Sequence, residues 1–167
     1  MDNQQDSLSQ PHILLRFVDA SGFITSAIDW EEDGLWPHVE AGTPQGTWIG
    51  AHAGSGVQER PANYCTPKRE RRYSIPCTEQ QANDFLVNCR AAIGTPYNYQ
   101  DIAGILFHLR SLTARHRLIC SQFMMRETWK VGIQMLNVLP GYDYLVTPET
   151  LHLSPILIDR CVYELKG

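Results

Sequence analysis

An α+β fold is what this sequence predicts, on three observations. Residues 37–76 carry short apolar runs parted by Gly-containing turns, as antiparallel strands with tight connections do. Residues 78–94 then change to helical spacing, with Ala82, Phe85, Leu86, Cys89 and Ile93 on one face. A further helical pattern follows Cys120, where Phe123, Met124 and Trp129 recur before Gly132. Strands gathered in one stretch and helices in another argue for an antiparallel sheet, or a small barrel, packed against helices.

Taken in order, residues 1–11 are polar and end at Pro11, which reads as a disordered leader before a single domain over 12–167. Ile13 to Val18 is a first strand, buried on at least one face. Ser21 to Trp30 reads as a short helix or turn with Ile24, Ala27 and Ile28 inward, and 31–34 as a loop. His38–Ala41 and Thr47–His52 form a hairpin around 42–46, and Gly54–Gly56 turns the chain into 57–61. Arg71–Pro76 is a further strand. Thr78 is an N-cap with Gln81 three residues on, the spacing of a capping box, and Gly94 can end that helix. Ile102, Ile105, Leu106 and Leu109 mark another helix, followed by a basic connection to residue 117. In the tail, 147–151 is a turn or short helix, and 156–165 a last strand rich in Ile, Val and Tyr.

Composition excludes several classes. The net charge of −4 leaves no basic stripe for nucleic acid, and Lys68–Arg72 reads as a solvated loop or strand edge. No apolar run approaches a membrane span, and no secretory signal stands at the N-terminus. Five cysteines without CxxC or zinc spacing fit free thiols in a reducing compartment. The expectation is a cytoplasmic protein, or one delivered by phage or a dedicated export system.

The stretch Ile119-Cys120-Ser121-Gln122-Phe123 carries the chemistry. It places a cysteine where a helix begins. Free N–H groups and the positive end of the dipole favour a thiolate there, and can receive an oxyanion. A nucleophilic thiol also needs an imidazole, and usually a third group to orient it. Of six histidines, His12, His108, His116 and His152 have surface or packing settings. His38 differs: on a strand, it and Glu40 project from one face, so the carboxylate can hold the imidazole. His52, on the returning strand, can face His38 and competes for the third position. Two histidines and a carboxylate are also donors that zinc accepts, but no HExxH-type helix motif accompanies His38, His52 and Glu40. The adopted reading has no metal and no cofactor. Trp30, Trp36, Trp48 and Tyr64 are core aromatics or the border of a cleft.

Four motifs in order, Pro-His-Val-Glu (37–40), Trp-Ile-Gly-Ala-His-Ala-Gly-Ser-Gly-Val-Gln-Glu-Arg-Pro-Ala-Asn-Tyr (48–64), Gly-Thr-Pro-Tyr-Asn-Tyr (94–99) and Ile-Cys-Ser-Gln-Phe (119–123), resemble the permuted papain-like hydrolases. These are the YiiX-type relatives of the NlpC cell-wall peptidases, with lecithin retinol acyltransferase a more distant cousin. The histidine strand precedes the cysteine helix here, the reverse of papain, and the likeness runs from about Ile13 to Pro155. The resemblance implies a circularly permuted papain-like fold with Cys120 as nucleophile and His38 as general base. It implies a site-lining role for Tyr97, which could equally be a buried aromatic. Many relatives carry a polar residue near where Gly50 stands. Glycine cannot orient an imidazole, which leaves Glu40 or His52, with Glu40 preferred.

The function so implied is a cysteine-dependent hydrolase, an amidase or peptidase working through an acyl-enzyme on peptide or peptidoglycan substrates. A lipid or thioester acyl hydrolase or acyltransferase is the alternative, as is a degenerate domain that only binds.

Overall fold

A computed structural model describes residues 10–20, 35–97, 119–139 and 141–160. The expected leader up to residue 9, the 21–34 segment, the 102–109 helix, the basic connection and the tail beyond 160 lie outside them. So do Trp30, His108 and His116.

Among the described residues, six strands form one antiparallel sheet. They are β1 (His12–Ala20), β2 (His38–Gly42), β3 (Trp48–His52), β4 (Gly56–Arg60), β5 (Pro67–Pro76) and β6 (Ile158–Asp159), in the order β4-β3-β2-β1-β5-β6. Helices α1 (Glu79–Ala91), α2 (Cys120–Lys130) and the short α3 (Pro148–His152) accompany it, with a 3-10 turn at Asp143–Leu145. The α+β architecture is therefore as expected.

Register explains why the sheet has two unlike faces. β1 pairs with β2 so that Leu15 meets Ala41, Arg16 meets Glu40, Phe17 meets Val39 and Val18 meets His38. Because side chains alternate along a strand, Leu15, Phe17, Val39 and Ala41 share one face and Arg16, His38 and Glu40 the other. The apolar set joins Ile49, Ala51, Val57, Tyr73 and Ile75 in one core cluster with Phe85 and Cys89 of α1 and Phe123, Met124 and Met125 of α2.

Local signals hold at the helix ends. Thr78 Oγ1 accepts from Gln81 N at 3.2 Å, and Gln81 Oε1 accepts from Thr78 N at 3.0 Å, a closed capping box. Helix α2 ends as Gly132 suggests: at φ 76° it donates to Trp129 O, and Ile133 N donates to Thr128 O, a Schellman motif.

Three boundaries differ from expectation. Ile93 is 46% exposed rather than inward, because α1 stops at Ala91 and the chain has left the helix by then. β5 starts at Pro67, so Lys68–Arg72 lies within a strand between β1 and β6. Its arginines are paired: Arg69 with Asp19, Arg71 with Asp159 and Arg72 with Glu70. Of the last expected strand, the described residues form only Ile158–Asp159.

Candidate active site

Helix α2 is buried on almost every side: Cys120 to Met125, Glu127 and Thr128 are all covered. An all-round buried helix is a central one, and its position is pinned at the start. Ser121 Oγ donates to Val146 O at 2.5 Å, tying the first turn to the segment before α3. No side chain caps the N–H groups of that turn, since Ile119, at the N-cap, has no oxygen to offer. Those donors therefore remain beside Cys120.

His38 stands at the start of β2. Its entry is held from the tail, where Glu149 Oε2 of α3 accepts from Leu35 N at 3.0 Å and Trp36 N at 3.2 Å. Cys120 acts on the His38 imidazole at close range, by charge and by a side-chain hydrogen bond. On the Glu40 side, His38 Nε2 lies 3.0 Å from Glu40 Oε1. The structure thus brings Cys120, His38 and Glu40 together.

The carboxylate is itself clamped. Glu40 is fully buried, and its Oε2 accepts from Arg16 Nη2 at 2.6 Å. The hydroxyl of Tyr64 donates to Oε1. Arg16, 2% exposed, has its guanidinium 4.1 Å from the centre of the Trp48 ring and 5.4 Å from that of Tyr64. Burial alone would raise the pKa of Glu40. The nearby His38 and Arg16, together with the Tyr64 hydroxyl, outweigh it and hold the group down at about 2. Glu40 is ionised at any ordinary pH.

The two histidines are driven apart in basicity. Burial would lower the His38 pKa, but Cys120 and Glu40 outweigh it and raise it to about 9. His52 is pushed down to about 3, first by burial and then by the neighbouring His38 charge. The β2–β3 pairing, Ala41 with Ile49 and Gly42 with Trp48, carried further along both strands sets His52 across from His38. Their ring centres are 4.8 Å apart, while His52 Nε2 is 3.9 Å from Glu40 Oε1. Glu40 is thus nearer than His52 to the orienting role, and His52 packs beside the pair as a neutral ring.

Gly50 takes a different meaning from the expected one. A Cβ there would sit 3.2 Å from Glu40 Cγ, 3.3 Å from His38 Nε2 and 3.5 Å from His52 Nε2. The glycine supplies no polar group. It clears the space in which a longer side chain from β2 does that work.

Tyr97 is buried within the core cluster. Trp36 is buried in the core cluster, so it is core rather than cleft border; Trp48 is buried against Arg16 on the face of the site, and Tyr64 reaches Glu40. Arg16 was missed in the sequence because it reads as a lone charge in an apolar strand. The available signal was its parity: a polar residue out of phase with Leu15 and Phe17 must face whatever lies opposite. His152 is half-buried against Phe17, Trp36 and Tyr73, its Nε2 2.6 Å from the Tyr73 hydroxyl, away from this cluster. The described cysteines Cys65, Cys77, Cys89 and Cys120 are all free thiols. No helix among the described residues is long and apolar enough to cross a membrane.

Comparison with known protein families finds no matching family model, and no curated protein matches. Among solved structures, the chain is similar to the metalloprotein YiiX from Escherichia coli O157:H7, with a TM-score of 0.62. The match covers 90% of this chain and 96% of that one at 11% identity. The chain has a YiiX-like fold.

Proposed function

We propose that this protein is a thiol hydrolase of permuted papain-like architecture, in which Cys120 attacks a carbonyl and His38 manages the proton. The observation that carries the reading is the buried line Cys120–His38–Glu40, with its carboxylate fixed by Arg16 and Tyr64. A papain-like mechanism asks for these three roles in this order. The chain order, histidine strand before cysteine helix, supports the permuted assignment.

The steps follow from the groups present. The raised basicity of His38 favours its imidazolium form beside Cys120, whose sulfur is the attacking atom. Sγ forms a bond to the carbonyl carbon, and the carbonyl electrons move to oxygen. The tetrahedral adduct collapses, the bond to the leaving group breaks, and that group takes the proton from His38. Water then attacks the thioester while His38 accepts its proton, and Cys120 leaves as thiolate. Glu40 keeps the ring oriented throughout. The resemblance of the sequence motifs to cell-wall peptidases favours amide substrates such as peptidoglycan stem peptides. Esters and thioesters obey the same chemistry.

YiiX is described as a metalloprotein, and this chain too gathers side chains that could hold a metal. His38, Glu40 and His52 each offer one donor atom, all within 4.8 Å of one another, and the donor types suit zinc. The charge does not suit it. Glu40 is the one carboxylate of the set, and its Oε2 already carries the Arg16 guanidinium at 2.6 Å. A dication would share a neutralised ligand with a fixed cation, and no step is derived through one.

The test is the pH dependence of alkylation at each cysteine, read by peptide mass spectrometry in wild type and His38→Ala. An ordinary thiol reacts appreciably only as pH nears about 8.5. Cys120 is expected to react rapidly well below that, and to lose the advantage without His38. A Cys120 no faster than Cys65 or Cys77 would leave a domain that binds rather than cuts.

A further inference from the structure

His38, Glu40 and His52 are the one group among the described residues whose donor atoms could hold a metal ion, all within 4.8 Å of one another. They come from the neighbouring strands β2 and β3, and all three are buried. Gly50 lies between them. A Cβ there would stand 3.3 Å from His38 Nε2 and 3.5 Å from His52 Nε2, so the glycine leaves room beside both nitrogens. Two imidazoles and a carboxylate around such a space are a donor set of catalytic zinc. By ligand type alone, the cluster invites a dication.

Arg16 stands against that. Its Nη2 lies 2.6 Å from Glu40 Oε2 and its Nη1 3.5 Å from Glu70 Oε2. A guanidinium keeps its proton at any ordinary pH, so this cation is permanent. It is also fixed: 2% exposed, with its central carbon 4.1 Å from the middle of the Trp48 ring and 5.4 Å from that of Tyr64. An exposed arginine would swing away from an arriving ion or be screened by water; this one can do neither. Zinc held by two neutral imidazoles and one carboxylate needs the whole charge of that carboxylate to offset its own. Here that charge is already matched.

We propose that Arg16 takes the place of a divalent cation beside Glu40: it keeps metals out of the His38–Glu40–His52 cluster, and its removal turns the cluster into a metal site. One side chain on β1 thus decides which of two chemistries the same three residues serve. With the arginine present, Glu40 is left to orient His38. Without it, the carboxylate is a ligand in want of a charge. An ion on His38 would also occupy the imidazole lone pair that a neighbouring thiol needs, so exclusion keeps the base in service. That use rests on the thiol-hydrolase reading above; the exclusion itself does not.

The full chain, stripped of metal by a chelator, is titrated with cobalt(II), which accepts the ligands of zinc and reports its coordination in visible absorption. Wild type and Arg16→Lys, which keeps the charge, are expected to develop no saturable band. Arg16→Met is expected to bind one equivalent, roughly a hundred-fold or more tighter than wild type, as removing a unit charge from beside a dication should give. Arg16→Met/His52→Ala should lose the band, which locates the ion. Zinc should displace the cobalt and raise the Tm of Arg16→Met but not of wild type, and should restore the variant where it folds poorly without metal. A wild type that binds as tightly as Arg16→Met overturns the proposal. So does an Arg16→Met protein that neither binds cobalt nor is restored by zinc, tight binding by Arg16→Lys, or a band that survives His52→Ala. A Cys120 of ordinary reactivity would remove the thiol-hydrolase reading and leave these titrations as they stand.

Discussion

The two faces of the central strands are equally buried and held together by opposite means. On one, Leu15, Phe17, Val39 and Ile49 need only be apolar and fit the space. On the other, Arg16, His38, Glu40 and His52 are covered to the same degree, and each depends on a particular neighbour. The apolar face tolerates error in proportion to volume. The polar face fails when one member is removed, because the partner is left charged and dry.

The sharpest way to break the polar face is Arg16→Met, which strands the Glu40 carboxylate. It should cost about 3–5 kcal/mol in urea denaturation, as breaking one side of a buried pair does. Leu15→Ala, the neighbour on the apolar face, should cost a comparable 2–5 kcal/mol for a different reason, lost transfer and a cavity. The double variant Arg16→Met/Glu40→Gln distinguishes the two faces. It should recover most of the Arg16→Met loss, and failure to do so would mean that Arg16 acts by packing on Trp48 rather than by pairing. A smaller effect, about 1–3 kcal/mol, is expected from Gly50→Ala, whose methyl crowds His38 and Glu40. Its greater consequence should be chemical, with Cys120 alkylation falling to the rate of Cys65. Rapid alkylation in a folded Gly50→Ala protein would show that the cleared space is not needed.

The smallest effect is on pH dependence. His52 titrates near 3 when folded against 6.5 unfolded, so the unfolded chain binds more protons as pH falls through that window and stability declines. Glu40, lowered from 4.5 to about 2, adds to the acid loss below 4.5. His38 is raised from 6.5 to about 9, so its contribution is complete below 6.5 and disappears as pH rises through 9. Tm should therefore peak near pH 6.5 and fall on both sides. His38→Ala should flatten the alkaline limb and shrink the acid one, since His38 also helps to hold Glu40 and His52 down, and an unchanged alkaline limb would remove His38 as its source.

Much of this was legible in the chain because it was local. The helix starts at Thr78 and Cys120, the stop at Gly132 and the His38–Glu40 parity all follow from neighbours a few residues apart. Ile93 misled because periodicity continues past the residue at which the backbone stops being helical. Arg16 escaped, and Tyr64 was placed only as a core or cleft-border aromatic, because their meaning lies in pairings 24 residues away in either direction from Glu40. Gly50 was read as a missing group when its effect is steric and depends on three side chains from two strands. Charge compensation and clearance are properties of the assembled sheet, whereas caps and alternation are properties of a few residues.

The sheet also has two outer strands, and exposed strand edges recruit other chains. At β4 the backbone answers this directly: Val57 N donates to Thr95 O at 2.9 Å, and Gly94 N donates to Val57 O at 2.9 Å. Gly56 permits the approach, since a Cβ there would lie 2.2 Å from Thr95 O. The other margin, β6, is two residues long among the described residues. The β4 edge is thereby kept from pairing with another chain, and a side chain at Gly56 would reopen it.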